Sequence, residues 1–182
     1  MIKLVKLAKK GDKPAFDEII RLCVPDMFRI AMSILNNKDD ADDVVCDTVV
    51  KAYENIYKLN DCKFFKTWII RMVINRANDI YKSRNKIVYL YDITNEPKYD
   101  DEYDFDDDEL NEAVASLGLE YRTVITLHYF QDMKIKEISH VLQIPQGTVK
   151  WRLSKAKSLL KEKLSDAPLP KRKEGLGKCN EI

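Results

Sequence analysis

A chain of 182 residues with a hydrophobic fraction of 45% can build one or two modest cores, which excludes a wholly disordered protein. Its formal net charge of +1 hides a division: residues 1–90 carry 17 basic and 12 acidic side chains, residues 91–116 carry 1 and 11, and residues 117–182 carry 13 and 7. Any polyanion contact therefore belongs to the two basic blocks and not to the acidic one between them. No apolar run has the length of a signal peptide core or a membrane span, so a cytoplasmic protein with no membrane insertion of its own is expected.

The first block reads as consecutive amphipathic helices. One follows Gly11-Asp12, with Asp12 as N-cap, and carries Phe16, Ile19, Ile20 and Cys23. Another covers residues 26–35 and stops at Asn36-Asn37. A third runs over about residues 39–58 and a fourth over about residues 65–83. On the third, Ala41, Val45, Thr48, Val49, Ala52 and Ile56 form a core stripe, with Asp43, Asp47, Val50 and Glu54 opposite. An acidic face of this kind is, by itself, usually just solvated. On the fourth, Ile69, Ile70, Val73, Ala77 and Ile80 are core-like, and Trp68, Arg71, Asn75, Asn78 and Lys82 share the opposite arc. Cations, amides and an aromatic on one arc suit a single strand, whose bases stack and whose backbone needs neutralising.

Residues 91–109 are acidic, contain Pro97 and cannot bury enough apolar surface to offset chain entropy, so they read as a flexible linker. Beyond it, residues 135–142 have the spacing of a short amphipathic helix, broken by Gln143-Ile144-Pro145 before a longer helix from Gln146. Short helix, tight turn and basic helix make a helix-turn-helix, whose second helix enters the major groove of duplex DNA. That helix has an apolar stripe of Val149, Leu153, Ala156, Leu160 and Leu164. Trp151, Ser154, Lys155 and Ser158 lie opposite, Lys150 on a shoulder and Arg152 nearer the core edge. Trp151 either meets DNA or packs on a neighbouring helix. The fold expected is all-α: domains at residues 1–90 and 110–166 joined by the linker, with a disordered basic tail at residues 167–182.

Catalytic and metal signals are wanting. Cys23, Cys46, Cys62 and Cys179 form no C-x-x-C pair and are expected as free thiols, while His128 and His140 are too isolated for a metal site. With no phosphate-cradling glycine loop and no nucleophile elbow, neither an enzyme nor a cofactor is expected.

Residues 117–157 resemble the promoter-binding region four of extracytoplasmic-function (group IV) sigma factors of bacterial RNA polymerase. The likeness rests on Leu117, Arg122, Leu127, Glu137-Ile138, Leu142, Ile144-Pro145, Gly147-Thr148-Val149-Lys150, Arg152-Leu153 and Lys155-Ala156-Lys157. Gly118 stands where the family has proline, and Trp151 where it has a small serine. In the first block, Asp40-Ala41-Asp42-Asp43 through Thr48 to Lys51-Ala52-Tyr53 resembles the family's polymerase-clamp-binding helix, with Cys46 and Asp47 in place of its common glutamine and glutamate. Phe64-Phe65-Lys66-Thr67-Trp68 with Arg71 and Asn75 resembles the promoter-melting segment. Residues 59–63 align with its base-capturing loop, Asn60-Asp61 replacing the usual arginine-glycine. The opening Leu4-Val5-Lys6-Leu7-Ala8, Gly11-Asp12 and Ala15-Phe16 also matches, so the resemblance spans residues 4–164 in order.

The resemblance implies clamp binding by Asp42, Asp43, Asp47, Val50 and Glu54, and downstream-element contacts by Asn60, Asp61, Lys63, Phe64, Trp68, Arg71 and Asn75. It implies upstream-element contacts by Gln146, Thr148, Lys150, Trp151, Arg152, Ser154, Lys155 and Lys157. The partners implied are core RNA polymerase, promoter DNA as duplex and as melted non-template strand, and an anti-sigma factor. The rival reading is a stand-alone helix-turn-helix regulator, under which the faces of the third and fourth helices have no purpose.

Overall fold

The structure, a computed structural model, describes residues 1–88 and 108–164. The tail at residues 167–182, and the expected linker up to residue 107, lie outside the described residues. All regular elements among the described residues are helical, and they fall into two compact units divided between Phe105 and Asp106.

The first unit contains α1 (Ile2–Ala8), α2 (Lys13–Leu35), α3 (Lys38–Asn55) and α4 (Phe65–Val88), with 3₁₀ turns at Ile56–Lys58 and Cys62–Phe64. Helices α2, α3 and α4 pack against one another, and α1 lies on α2. Gly11, at φ 92°, takes the left-handed conformation that lets the chain reverse out of α1. Asp12 then caps α2, its carboxylate accepting from Ala15 N–H at 2.9 Å.

The two helices expected over residues 12–35 are one continuous helix, with Pro25 inside it. Proline removes one helical hydrogen bond, at a cost of about 3 kcal/mol. Cys23, Met27 and Phe28 are buried on either side of it while Val24 and Pro25 face solvent, so the core stripe runs past the break and tertiary burial outweighs it. Asn36, at φ 51°, ends α2 with its N–H on Met32 O, and the Asn37 side chain accepts from Asp40 N–H at 2.9 Å to open α3. Regular α-helix in α3 stops at Asn55, earlier than the periodicity predicts, because the last turn tightens to 3₁₀; α4 continues past residue 83 to Val88.

The second unit contains α5 (Asp108–Ala115), α6 (Leu119–Ile125), a π-helical turn (Thr126–Phe130), α7 (Ile135–Leu142) and α8 (Gln146–Lys163). The α5 helix begins at Asp108, slightly ahead of the expected start at residue 110. Gln143, at φ 55°, closes α7 with its N–H on Ser139 O, and the Ser139 hydroxyl donates to Ile144 O at 2.6 Å. These bonds make the tight turn of the helix-turn-helix. Val149, Leu153, Ala156, Leu160 and Leu164 are all buried, as the α8 periodicity predicts, and α8 packs against α6 and α7.

Candidate polymerase and nucleic-acid interfaces

Because the α3 stripe of Ala41, Val45, Thr48, Ala52 and Ile56 is buried, its other side faces solvent. There Asp42, Asp43, Cys46 and Glu54 are exposed around Val50, which is 58% exposed, and Tyr53. Asp42, Asp43 and Glu54 have no ion pair among the described residues. Asp47 differs: Arg76 Nε of α4 donates to it at 2.7 Å, and both side chains are only partly exposed. Arg84 likewise donates to Asp40 at 2.7 Å. The acidic face thus divides into free carboxylates and carboxylates that tie α3 to α4.

Between α3 and α4 the chain is held at both ends. Leu59 is buried, and its carbonyl accepts from the ammonium of Lys9, the residue that caps α1. The Asp61 carboxylate accepts from Lys63 N–H at 2.9 Å, so this candidate base contact also shapes the turn. Asn60 and Lys63 are exposed, and Phe64 is 62% exposed at the mouth of α4. Phe65 is buried instead, with its ring 5.8 Å from that of half-buried Trp68. Arg71 is half-buried and Asn75 exposed along the same arc, opposite buried Ile69, Ile70 and Val73. Lys66 pairs with Asp26 of α2 at 3.0 Å, which fixes the start of α4. Burial, with the Asp26 carboxylate adding, pushes the nearby Cys23 thiol pKa up, as suits an inert core thiol.

On α8, Gln146, Lys150, Ser154, Lys155 and Lys157 are exposed and Thr148 is half-buried. Trp151 is 56% exposed, yet its ring also lies 6.0 Å from that of Tyr121 on α6. Packing on a neighbouring helix therefore accounts for part of this ring, and the rest of it is open to solvent. Arg152 is half-buried and pairs with Glu120 at 2.8 Å, so its charge is met within the fold. The Lys157 ammonium sits over the Tyr129 ring at 5.2 Å. Burial, then the Glu120 carboxylate, raises the Tyr121 hydroxyl pKa.

Sequence reasoning misses several of these residues. Val44, Phe65 and Ile74 are buried, whereas Val49 and Ile80 of the expected stripes are only half-buried. Helical spacing could have found Val44 from Ala41 and Thr48, and Ile74 from Ile70. Lys9, Arg76, Glu120 and Tyr121 carry no sequence signal, because their partners lie on other helices. No group of His, Cys, Asp and Glu among the described residues could hold a metal ion, and no described helix is long and apolar enough to cross a membrane.

Comparison with known proteins identifies the two units. The family description "Sigma-70 region 2" matches residues 19–87, and "Sigma-70, region 4" matches residues 107–160. The RNA polymerase sigma factor SigV of Bacillus subtilis is 31% identical over 145 residues, covering 79% of this chain and 87% of its own. The ECF RNA polymerase sigma factor SigW of the same organism is 29% identical over 180 residues, covering 90% and 96%. CnrH, solved in complex with the cytosolic domain of CnrY, shares the fold at 22% identity with a TM-score of 0.67 over 91% of this chain and 98% of its own. The sigma factor RpoE of Bartonella quintana, solved with the anti-sigma factor NepR, does so at 21% and 0.70 over 84% and 98%. With two sigma regions matched in order and a relative at 31% identity across most of its length, the chain belongs to the extracytoplasmic-function sigma factors, non-catalytic subunits that direct RNA polymerase to promoters.

Proposed function

We propose that this sigma factor divides promoter recognition between its units, with residues 1–90 docking on polymerase and opening the downstream element and residues 110–166 reading the upstream element as duplex. The observation that carries the reading is the placement of polar arcs opposite the buried stripes, exposed along α8 and partly exposed along α4. In the docking step, Asp42, Asp43 and Glu54 surround the apolar contact of Val50 and Tyr53 and meet a basic coiled-coil of the largest polymerase subunit. In the opening step, Arg71 and Asn75 hold the displaced strand while a base leaves the stack. Unstacking costs a few kcal/mol, and stacking on an exposed aromatic such as Phe64 returns about 1–3 kcal/mol. Asn60, Asp61, Lys63 and Trp68 complete this surface. In the anchoring step, Lys150, Trp151, Ser154 and Lys155 face base edges, with Gln146 and Thr148 near the helix start and Lys157 near phosphate. Arg152 contributes less to the backbone than a free guanidinium would, because Glu120 holds it. The chain works where the polymerase is, in the cytoplasm, and an anti-sigma factor restrains it, a reading supported by the anti-sigma factor NepR in the solved complex with RpoE.

Run-off transcription with core polymerase on genomic fragments tests the reading. Promoter-specific initiation is expected with polymerase and only weak duplex binding without it, since each unit makes few base contacts. Tight, sequence-specific duplex binding by the free chain would instead indicate a stand-alone regulator.

A further inference from the structure

A half-exposed indole on a helix has more than one open χ1 well, and its free rotation would blur any preference for particular base edges. Trp151, however, has a ring neighbour on one side. The Tyr121 ring lies 6.0 Å away with the planes tilted by 55°, which closes one side to it. Tyr121 directly follows Glu120, and the Glu120 carboxylate takes the Arg152 guanidinium at 2.8 Å. Arg152 directly follows Trp151, so one chain of contacts ties the start of α6 to the α8 turn that carries the indole. The first α6 turn is fixed in its own right: Tyr121 and Arg122 N–H groups donate to Gly118 O at 2.9 and 3.1 Å. Gly118 adjoins the same ring, as a Cβ there would stand 3.4 Å from Tyr121 Cδ2.

We propose that Tyr121 is a positioning residue for upstream readout, its ring holding Trp151 in the orientation that decides which base edges the indole meets. The inference rests on the reading of α8 as the upstream reader and adds a residue outside that helix. Tyr121 touches no base. It acts through Trp151, and the Glu120–Arg152 pair keeps the two helices in register while it does so. A tilted ring contact of this kind favours one rotamer of the indole over another.

The test is a selection from templates with a randomised upstream element, transcribed by core polymerase with the full chain carrying Trp151→Ala, Tyr121→Leu, both together, or Tyr121→Phe. Trp151→Ala should cut preference by about fivefold or more at the bases the indole selects. Tyr121→Leu should erode preference at those same positions, and the double substitution should add nothing further. Tyr121→Phe keeps the ring and should retain the original preference. If Tyr121→Leu fails to give a cooperative melt, Tyr121→Met replaces it. Loss of activity spread evenly over all sequences in Tyr121→Leu, with Trp151→Ala still altering preference, overturns the role of Tyr121 alone. No change of preference in Trp151→Ala overturns it together with the assignment of Trp151 as a reader.

Discussion

Splitting docking from packing on α3 gives the sharpest expectation. Asp43 is exposed with no ion pair among the described residues, whereas Asp47 accepts from Arg76 at 2.7 Å with side-chain exposures of 45% and 37%. A pair this open to solvent is worth about 0.2–1 kcal/mol. Asp47→Asn should therefore lower the melting temperature by about 1–8 °C, given about 4–8 °C per kcal/mol for a domain of this size. Asp47→Lys, which sets a cation against Arg76, should cost roughly twice as much. Asp43→Lys should leave the melt within about 0.5 kcal/mol of the unaltered chain. In competition for core polymerase the order should reverse. Asp43→Lys should weaken binding by about tenfold, or about 1.4 kcal/mol, and Asp47→Asn by less, because Arg76 already meets much of its charge. Arg76→Met should destabilise slightly yet leave docking intact or tighter, and raising salt should narrow every difference. If Asp43→Lys melts like Asp47→Lys while core binding is unchanged, the division between free and tied carboxylates is wrong. If Arg76→Met weakens docking as much as Asp43→Lys does, the pair orients α3 for the clamp and is not a competitor for it.

Other surfaces give simpler expectations. Arg71→Ala and Asn75→Ala should spare core binding but impair initiation on duplex templates, with partial rescue on templates opened at the downstream element; equal loss on both would point to base capture or folding. Lys157→Ala should lower activity evenly across upstream sequences and reduce the salt slope by about one, whereas Lys150→Ala should change the preferred bases in the same selection. Pro25→Ala should raise stability, measured by urea titration, by up to about 3 kcal/mol less the extra freedom of the unfolded chain. An unchanged midpoint would mean that α2 has already relaxed around the missing hydrogen bond.

Much of the fold is legible because its signals are local. The α8 stripe from Val149 to Leu164 repeats at helical spacing and is buried throughout, and Asn36-Asn37 both ends α2 and opens α3 as its residue types favour. Pro25 misleads because local propensity predicts a boundary, while burial of Cys23, Met27 and Phe28 on either side decides otherwise. The candidate sites are legible in outline for the same reason: a face opposite a core stripe is exposed whichever partner it meets. Their internal division is not legible. Whether Asp47 is free like Asp43, or Arg152 free like Lys155, depends on Arg76 and Glu120, which reach them from other helices.

The turn before α4 shows why such unseen partners bear on function. Binding an unpaired base must offset both the unstacking of that base and the ordering of whatever receives it. Leu59 is buried, its carbonyl is held by Lys9, and Asp61 closes the turn through Lys63 N–H, so little of this backbone remains to be ordered when DNA arrives. A mobile loop bearing the same Asn60, Lys63 and Phe64 would forfeit about 1–2 kcal/mol for each residue fixed, comparable with the about 1–3 kcal/mol that one stacked base returns. On the proposed reading, the contribution of Lys9, at the C-terminal cap of α1, is thus rigidity and not contact: it works some fifty residues from the turn in sequence, by making the receiving surface ready before the strand opens.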